Sequence, residues 1–166
     1  MTKRYFAVTC GAMLALGLAG CAQPGGPVTR TGAASAMISS TTTVPVGYET
    51  IYLSGMTGTL PAPQGGTPPD SGDTEAQAVR ALEKIKAALA EQGLTLGDVV
   101  MMHAYLAADS ATGRGDSKGW GAAYGKFFGT ADQPNKPSRT SVTVTLGSPA
   151  AKIEIETIAV RKPKAG

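Results

Sequence analysis

The last thirty residues constrain the fold most strongly, because they combine an extended pattern with charges that need partners. The stretch 138–146 is rich in β-branched residues, and 152–160 alternates apolar side chains with carboxylates. Arg139 stands near the start of the first segment, and Glu154 and Glu156 lie in the second. The pattern predicts two β-strands that a short Gly-Ser-Pro turn joins into a hairpin. Charges in half-buried strands are costly unless they are paired, so these residues carry most of the functional argument.

The first twenty residues have the organisation of a secretory signal. Lys3 and Arg4 precede an apolar run that is too short to span a membrane. The run ends in Leu18-Ala19-Gly20-Cys21, which resembles a bacterial lipobox. This resemblance implies cleavage before Cys21, acylation of its thiol and an anchor in the cell envelope facing the periplasm. Ala22 at the next position favours the outer membrane, and a plain secretory signal is the alternative interpretation.

The remaining chain predicts one domain with short appendages. Residues 21–34 are rich in Gly, Pro and Ala and predict a flexible tether, residues 35–162 form the domain, and 163–166 form a tail. The formal charge of +3 falls to about +1 once the two basic residues of the signal are removed. Such a balance gives no electrostatic case for binding nucleic acid. Both cysteines lie in the first 21 residues, which excludes a disulfide scaffold and a Cys/His metal site in the domain.

The domain predicts an α+β fold in the order β-β-α-β-α-β-β, with both helices on one face of the sheet. The strongest element is a helix over 74–92, in which Thr74 and Gln77 form a capping box. A continuous apolar segment at 98–107 predicts a central strand buried on both faces. Its His103 is the only histidine and fits a satisfied strand residue better than a catalyst. The other predicted elements are strands at 35–43 and 50–55, a helix at 118–128, and the C-terminal pair.

Several motifs occur in order along the domain. They are Tyr52-Leu53-Ser54-Gly55, Leu96-Gly97-Asp98-Val99-Val100, Tyr124-x-x-Phe127-Phe128, Pro137-Ser138-Arg139-x-Ser141-Val142 and Lys152-Ile153-Glu154-Ile155-Glu156. Together they resemble the Rid family, the YjgF-like reactive intermediate deaminases, over about residues 48–161. The resemblance implies a chorismate-mutase-like homotrimer with clefts between subunits. It also implies hydrolysis of small enamines and imines to a keto acid and ammonia, without a metal or cofactor.

The resemblance assigns roles to single residues. Arg139 would bind the substrate carboxylate through parallel N–H donors, and Glu154 would position or deprotonate the attacking water. Ser54, Gly55 and Ser141 would line the substrate cleft. The competing interpretation is structural, with Arg139 in a strand-end ion pair and Glu154 on a solvated strand face.

Some positions depart from the family pattern. Ser141 stands where many members have Cys, Gly121 stands where an Asn is expected, and Met56 replaces a common Gln. The Gly-Pro-Tyr segment typical of the deaminating subgroup is absent from the sequence. These departures indicate a divergent subgroup and leave the substrate open.

The predicted hairpin has a geometric consequence for the site. Pairing around 147–151 would place Val144 opposite Glu154 and leave Arg139 five residues further along, roughly 16 Å away at about 3.3 Å per residue. One small substrate cannot bridge that distance. We therefore expect the Arg139 and the Glu154 of one site to come from different subunits.

Three functions stay open on the sequence. The first is a cofactor-free imine hydrolase that acts outside the cytoplasm. The second is a lipid-anchored trimer that binds a small carboxylate without turnover. The third is a structural lipoprotein of the cell envelope.

Overall fold

The computed structural model describes residues 25–67 and 69–163. The predicted signal segment, the lipidation site Cys21 and the 164–166 tail lie outside the described residues. Within the described part, no helix is both long enough and apolar enough to cross a membrane.

The described chain folds into strands, two α-helices and a short 3₁₀ turn at Leu96–Asp98. In chain order, the elements are β1 (Thr29–Thr31), β2 (Thr41–Thr43), β3 (Glu49–Thr57), α1 (Thr74–Glu91), β4 (Val99–Ala107), α2 (Ser117–Tyr124), β5 (Ser138–Val144) and β6 (Ile153–Arg161). From β2 onward, this order is the predicted one, and the α+β class is confirmed.

Four strands form one mixed sheet in the order β3-β6-β4-β5. β6 is antiparallel to both β3 and β4, whereas β5 runs parallel to β4. Parallel neighbours need a crossover connection, and α2 with its flanking loops provides it between the end of β4 and the start of β5.

The predicted hairpin of β5 and β6 is wrong, because β4 lies between the two strands. A central strand needs a partner along each edge to satisfy its backbone groups. β4 is the most continuously apolar strand, and it takes β6 on one side and β5 on the other. The Gly-Ser-Pro turn therefore leads into a connection that passes around the end of β4.

Helix α1 begins with a different cap from the predicted one. The Asp73 side chain accepts the backbone N–H of Ala76 at 2.8 Å, so Thr74 is the first helical residue and not the cap. Gln77 is buried and binds the β5–β6 connection. Its Nε2 donates to the Ala150 carbonyl at 3.0 Å, and its Oε1 accepts from the Lys152 N–H at 2.8 Å.

The core lies between the helices and one face of the sheet. The predicted stripe of α1 is fully buried there, with Leu82, Ile85 and Leu89 at 0% exposure. Each of these side chains stabilises the fold by about 1.5–3 kcal/mol. Further core side chains come from β4, α2, the segment that follows α2, and β6: Met102, Ala104, Leu106, Trp120, Tyr124, Phe128, Ile153 and Ile155.

No helix of the described residues packs on the other face of the sheet, and we call it the open face. Its positions on β4 and β6 include Met101, His103, Tyr105, Glu154 and Glu156, all of which are partly exposed. The prediction that β4 is buried on both faces is therefore wrong for the single chain, because both helices pack on the same side.

The folded part begins earlier than predicted. β1 lies inside the stretch predicted as a flexible tether and pairs antiparallel with β2. Arg30 in β1 donates to the carbonyls of Gly97 and Val99 at 3.0 and 3.2 Å, which holds this ribbon against the start of β4. The tether prediction is wrong for residues 29–31, and the strand predicted at 35–43 is limited to β2.

Candidate functional site

The side chain of Arg139, a residue of β5, lies on the helix side of the sheet and packs between this strand and α2. Its partner in β4 is Met102, whose side chain faces the core, so Arg139 points toward the helices as well. The guanidinium carbon is 4.2 Å from the centroid of the Tyr124 ring and 5.1 Å from that of Trp120. Both distances are within the range of cation–π attraction. The predicted aromatic stripe of α2 therefore contributes to the core and also holds the arginine.

The Arg139 head group has unused donor capacity. Its Nη1 is buried and finds no hydrogen-bond acceptor within the described residues. Burial lowers the pKa of the guanidinium, and Tyr124 acts in the opposite direction. A guanidinium stays charged at neutral pH even so. A buried N–H without an acceptor costs about 1–3 kcal/mol, so an anionic ligand at this position would relieve a real penalty.

Ser141 supports this arrangement from β5. Its Oγ accepts a hydrogen bond from the Trp120 Nε1–H at 3.0 Å. Trp120 in turn meets Tyr124 edge to face, with ring centroids 5.5 Å apart. The structure thus gives Ser141 a contact that positions Trp120 under the guanidinium, while its predicted direct contact with substrate stays a prediction.

Glu154 lies on the open face, where its partner in β4 is Tyr105. Its carboxylate rests against Gly55, and a Cβ on Gly55 would collide with it. The register between β3 and β6 shifts at this point, so that Ser54 and Gly55 together oppose Glu156 alone. Such a β-bulge often redirects a side chain. The structure therefore brings Glu154 and Gly55 together, while the substrate cleft that they would line stays a prediction.

Arg139 and Glu154 of one chain lie on opposite faces of the sheet. Their β4 partners, Met102 and Tyr105, are three residues apart, and two strand spacings separate β5 from β6. Three residues at about 3.3 Å and two spacings of about 4.8 Å give a Cα separation of roughly 14 Å. This Cα separation replaces the one that we calculated from the predicted hairpin of β5 and β6. One small ligand cannot contact both side chains within a chain, and a site shared between subunits stays a prediction.

A second polar cluster, which the sequence did not predict, lies on the open face beside Glu154. His103 Nδ1 is 2.7 Å from Glu156 Oε1, and the Tyr105 hydroxyl donates to the same oxygen at 3.0 Å. Hydrogen bonding to Glu156 raises the pKa of Tyr105, with smaller contributions from desolvation and from the two nearby carboxylates. The alternation of side chains in β4 and β6 could have indicated that these residues share one face of the sheet. Only the register between the two strands makes them neighbours.

The described chain offers little for a metal. No group of three or more His, Cys, Asp or Glu side chains within it is arranged to hold a metal ion. A surface cleft of about 510 Å³ at the start of α1 is lined by Asp73, Asp109, Arg114 and Lys152, among others, and includes no predicted site residue.

The fold and the recessed arginine define a two-layer α+β protein suited to a small anionic ligand. The model of the family described as Endoribonuclease L-PSP matches residues 39–161, and the chain belongs to this family. The predicted membership of the Rid, or YjgF-like, family is thereby confirmed.

Individual relatives agree with this assignment. A RutC family protein of Haemophilus influenzae is 36% identical over 90 residues, a match covering 54% of this chain and 65% of the relative, slightly under two thirds of its length. E. coli TdcF, of which a crystal structure with bound serine is known, is 31% identical in sequence to this chain. The two structures match with a TM-score of 0.54 over 72% of this chain and 85% of TdcF. The E. coli YjgF gene product is 33% identical, with the same TM-score and coverage.

Proposed function

We propose that the protein hydrolyses small 2-imino acids, and the enamines in equilibrium with them, to a 2-keto acid and ammonia. The observation that carries this proposal is the buried, unpaired Nη1 of Arg139. A charged donor fixed by aromatic rings is suited to a carboxylate, because guanidinium N–H groups match the two carboxylate oxygens. The relative TdcF was crystallised with serine, a molecule that carries such a carboxylate.

In the proposed reaction, Arg139 holds the substrate carboxylate and Glu154 of a neighbouring subunit holds the attacking water. Water adds to the iminium carbon and loses a proton to give a carbinolamine. The amine then leaves as ammonia, and the C–O bond becomes the keto group. Two subunits are needed because the two side chains lie on opposite faces of one sheet. We infer a homotrimer with three such clefts, as the family resemblance implies.

The proposal also covers the location of the protein. We infer that Cys21 carries a lipid anchor and that the domain faces the periplasm, with the outer membrane favoured over the inner one. Membrane fractionation of wild type and Cys21→Ser is the test. The wild type should sediment with membranes and the variant should not. Equal membrane retention of both would contradict the anchor.

The name of the matched family refers to a ribonuclease, but the charges here favour a small ligand. Phosphate backbones are bound by clusters of Lys and Arg, whereas the open face of the four strands carries Glu154 and Glu156 and, at its other described positions, neither Lys nor Arg. We therefore propose no nucleic-acid partner.

The direct test uses the full-length chain and imino acids generated freshly from several amino acids by an amino-acid oxidase. The wild type should accelerate keto-acid formation over the uncatalysed rate, and Arg139→Ala should lose most of this acceleration. Arg114→Ala is the matched control, since it removes an exposed arginine from the surface cleft and should leave the rate unchanged.

The same preparation separates the alternative functions. If the wild type only matches the uncatalysed rate with every side chain, hydrolysis is refuted. Calorimetric binding of serine that Arg139→Ala abolishes would then identify a binding protein. Absence of both turnover and binding would leave the structural envelope role.

A further inference from the structure

The cluster of His103, Tyr105 and Glu156 on the open face is built around one carboxylate oxygen. Glu156 Oε1 is 2.7 Å from His103 Nδ1 and 3.0 Å from the Tyr105 hydroxyl. An ionised carboxylate only accepts hydrogen bonds, so both neighbours must be donors. The imidazole therefore carries its proton on Nδ1, and the lone pair of the neutral ring lies on Nε2.

This geometry produces a base whose orientation is fixed. A carboxylate on one imidazole nitrogen sets the tautomer and stabilises the imidazolium that forms when the other nitrogen takes a proton. The side chains of His103 and Glu156 are 32% and 41% exposed, so the pair is accessible from the open face in the single chain.

The surroundings of this pair favour a cationic reaction centre. On β6, Glu154 and Glu156 are two residues apart, about 7 Å along the strand. Tyr105 lies opposite Glu154 and donates a hydrogen bond to Glu156. Glu154, Tyr105 and Glu156 therefore form one continuous row of polar side chains. The neighbour of His103 on β5 is Thr140, which is uncharged, and β3 contributes the exposed Tyr52. Of the strand positions on this face, none carries a positively charged Lys or Arg.

We propose that His103 Nε2 is the general base and acid of the deamination, with Glu156 and Tyr105 as the residues that position it. This inference rests on the proposed function. The protonated imine is a cation, and the row of carboxylates would hold it. Nε2 takes the proton that the Glu154-bound water loses as its oxygen forms a bond to the iminium carbon. The imidazolium then returns that proton to the amine nitrogen. As the C–N bond breaks, the carbinol oxygen forms the keto group and the hydroxyl proton leaves with the ammonia as ammonium, so no other reactant is needed.

The first test is spectroscopic and does not depend on turnover. Because His103 is the only histidine, ¹⁵N-histidine labelling of the full-length chain, purified through a histidine-free tag, gives one imidazole spectrum. Long-range ¹H–¹⁵N correlations of the neutral ring should show a proton on Nδ1 and none on Nε2. Glu156→Gln should shift this ring toward a mixture of tautomers. A wild-type ring protonated on Nε2 would overturn the inference.

The second test is kinetic and uses the imino-acid assay on the assembled protein. His103→Gln should lower kcat about 10²- to 10⁴-fold with little change in KM. The wild-type pH–rate profile should contain a limb that the residual rate of His103→Gln lacks. Thr140→Val is the matched control, because it changes the other cross-strand neighbour and leaves the pair intact.

The outcomes distinguish this inference from the proposed function. If the wild type turns over and His103→Gln keeps both its rate and its pH profile, the role of His103 is refuted and the deaminase proposal stands. If the wild type does not turn over any imino acid, both are refuted. Tyr105→Phe should lower kcat less than Glu156→Gln, because it removes one donor and leaves the carboxylate beside the imidazole.

Discussion

Replacing Arg139 by methionine separates a ligand-binding arginine from a structural one. The substitution removes two cation–π contacts, worth about 0.5–2 kcal/mol each. It also removes a buried N–H without an acceptor, whose cost is about 1–3 kcal/mol. The Met sulfur regains part of the aromatic contact, about 0.3–1.5 kcal/mol. These contributions nearly cancel, so the free energy of unfolding should stay within about 1 kcal/mol of the wild type.

Ligand binding should respond quite differently from stability. Serine at 100 times its dissociation constant should raise the free energy of unfolding of the wild type by about 3 kcal/mol. Arg139→Met should show no such increase, because the carboxylate has lost its partner. Urea denaturation at 25 °C, with and without serine, measures both quantities, and Arg114→Met is the control for loss of a positive charge.

Two results would refute this reasoning. A loss of 3 kcal/mol or more in ligand-free Arg139→Met would mean that the guanidinium has a structural partner, because breaking a buried charged pair costs about that much. Stabilisation by serine that persists in Arg139→Met would place the ligand elsewhere, with the surface cleft as the next candidate.

Three further predictions concern other parts of the fold. Gly55→Ala should displace the Glu154 carboxylate that rests against it and lower kcat about 100-fold without a large change in melting temperature; an unchanged rate would refute the role of that contact. Gly58→Ala should cost roughly 2–3 kcal/mol, because the new Cβ would collide with the backbone of Gln77, and a wild-type urea midpoint would contradict this. Burial raises the pKa of Tyr124 to about 12, against the opposing charge of Arg139, so the folded chain keeps a proton that the unfolded chain releases above about pH 10. About 3 kcal/mol of the free energy of unfolding, intact below that pH, should therefore be lost by about pH 12. Alkaline unfolding of Tyr124→Phe should lack this loss.

The apolar periodicity of the sequence predicted most elements for a simple reason. α1 buries a stripe every three to four residues, and β4 is a run of apolar residues long enough for a central strand. These local patterns follow from the period of each element, which does not depend on the neighbours. The aromatic stripe of α2 was predicted as core for the same reason, and Trp120 and Tyr124 are indeed buried.

Strand pairing was the part that local patterns could not give. A turn sequence between two extended segments indicates a hairpin, but in the sheet β4 pairs with both β5 and β6 and lies between them. That choice depends on which strand buries the most apolar surface against the helices, a property of the whole sheet. The predicted N-cap of α1 was wrong by one residue. Asp73 and Thr74 are both good capping residues, and the packing of Gln77 decides between them.

By itself, the sequence determined the elements from β2 onward, their order, the family and the identity of Arg139 and Glu154 as the residues to test. Only the tertiary structure decided that these two side chains lie on opposite faces, and that Trp120 and Tyr124 hold the guanidinium. It also decided that His103, Tyr105 and Glu156 meet at one oxygen. Faces and cross-strand neighbours are set by register, and register is fixed by interactions between residues far apart in the chain.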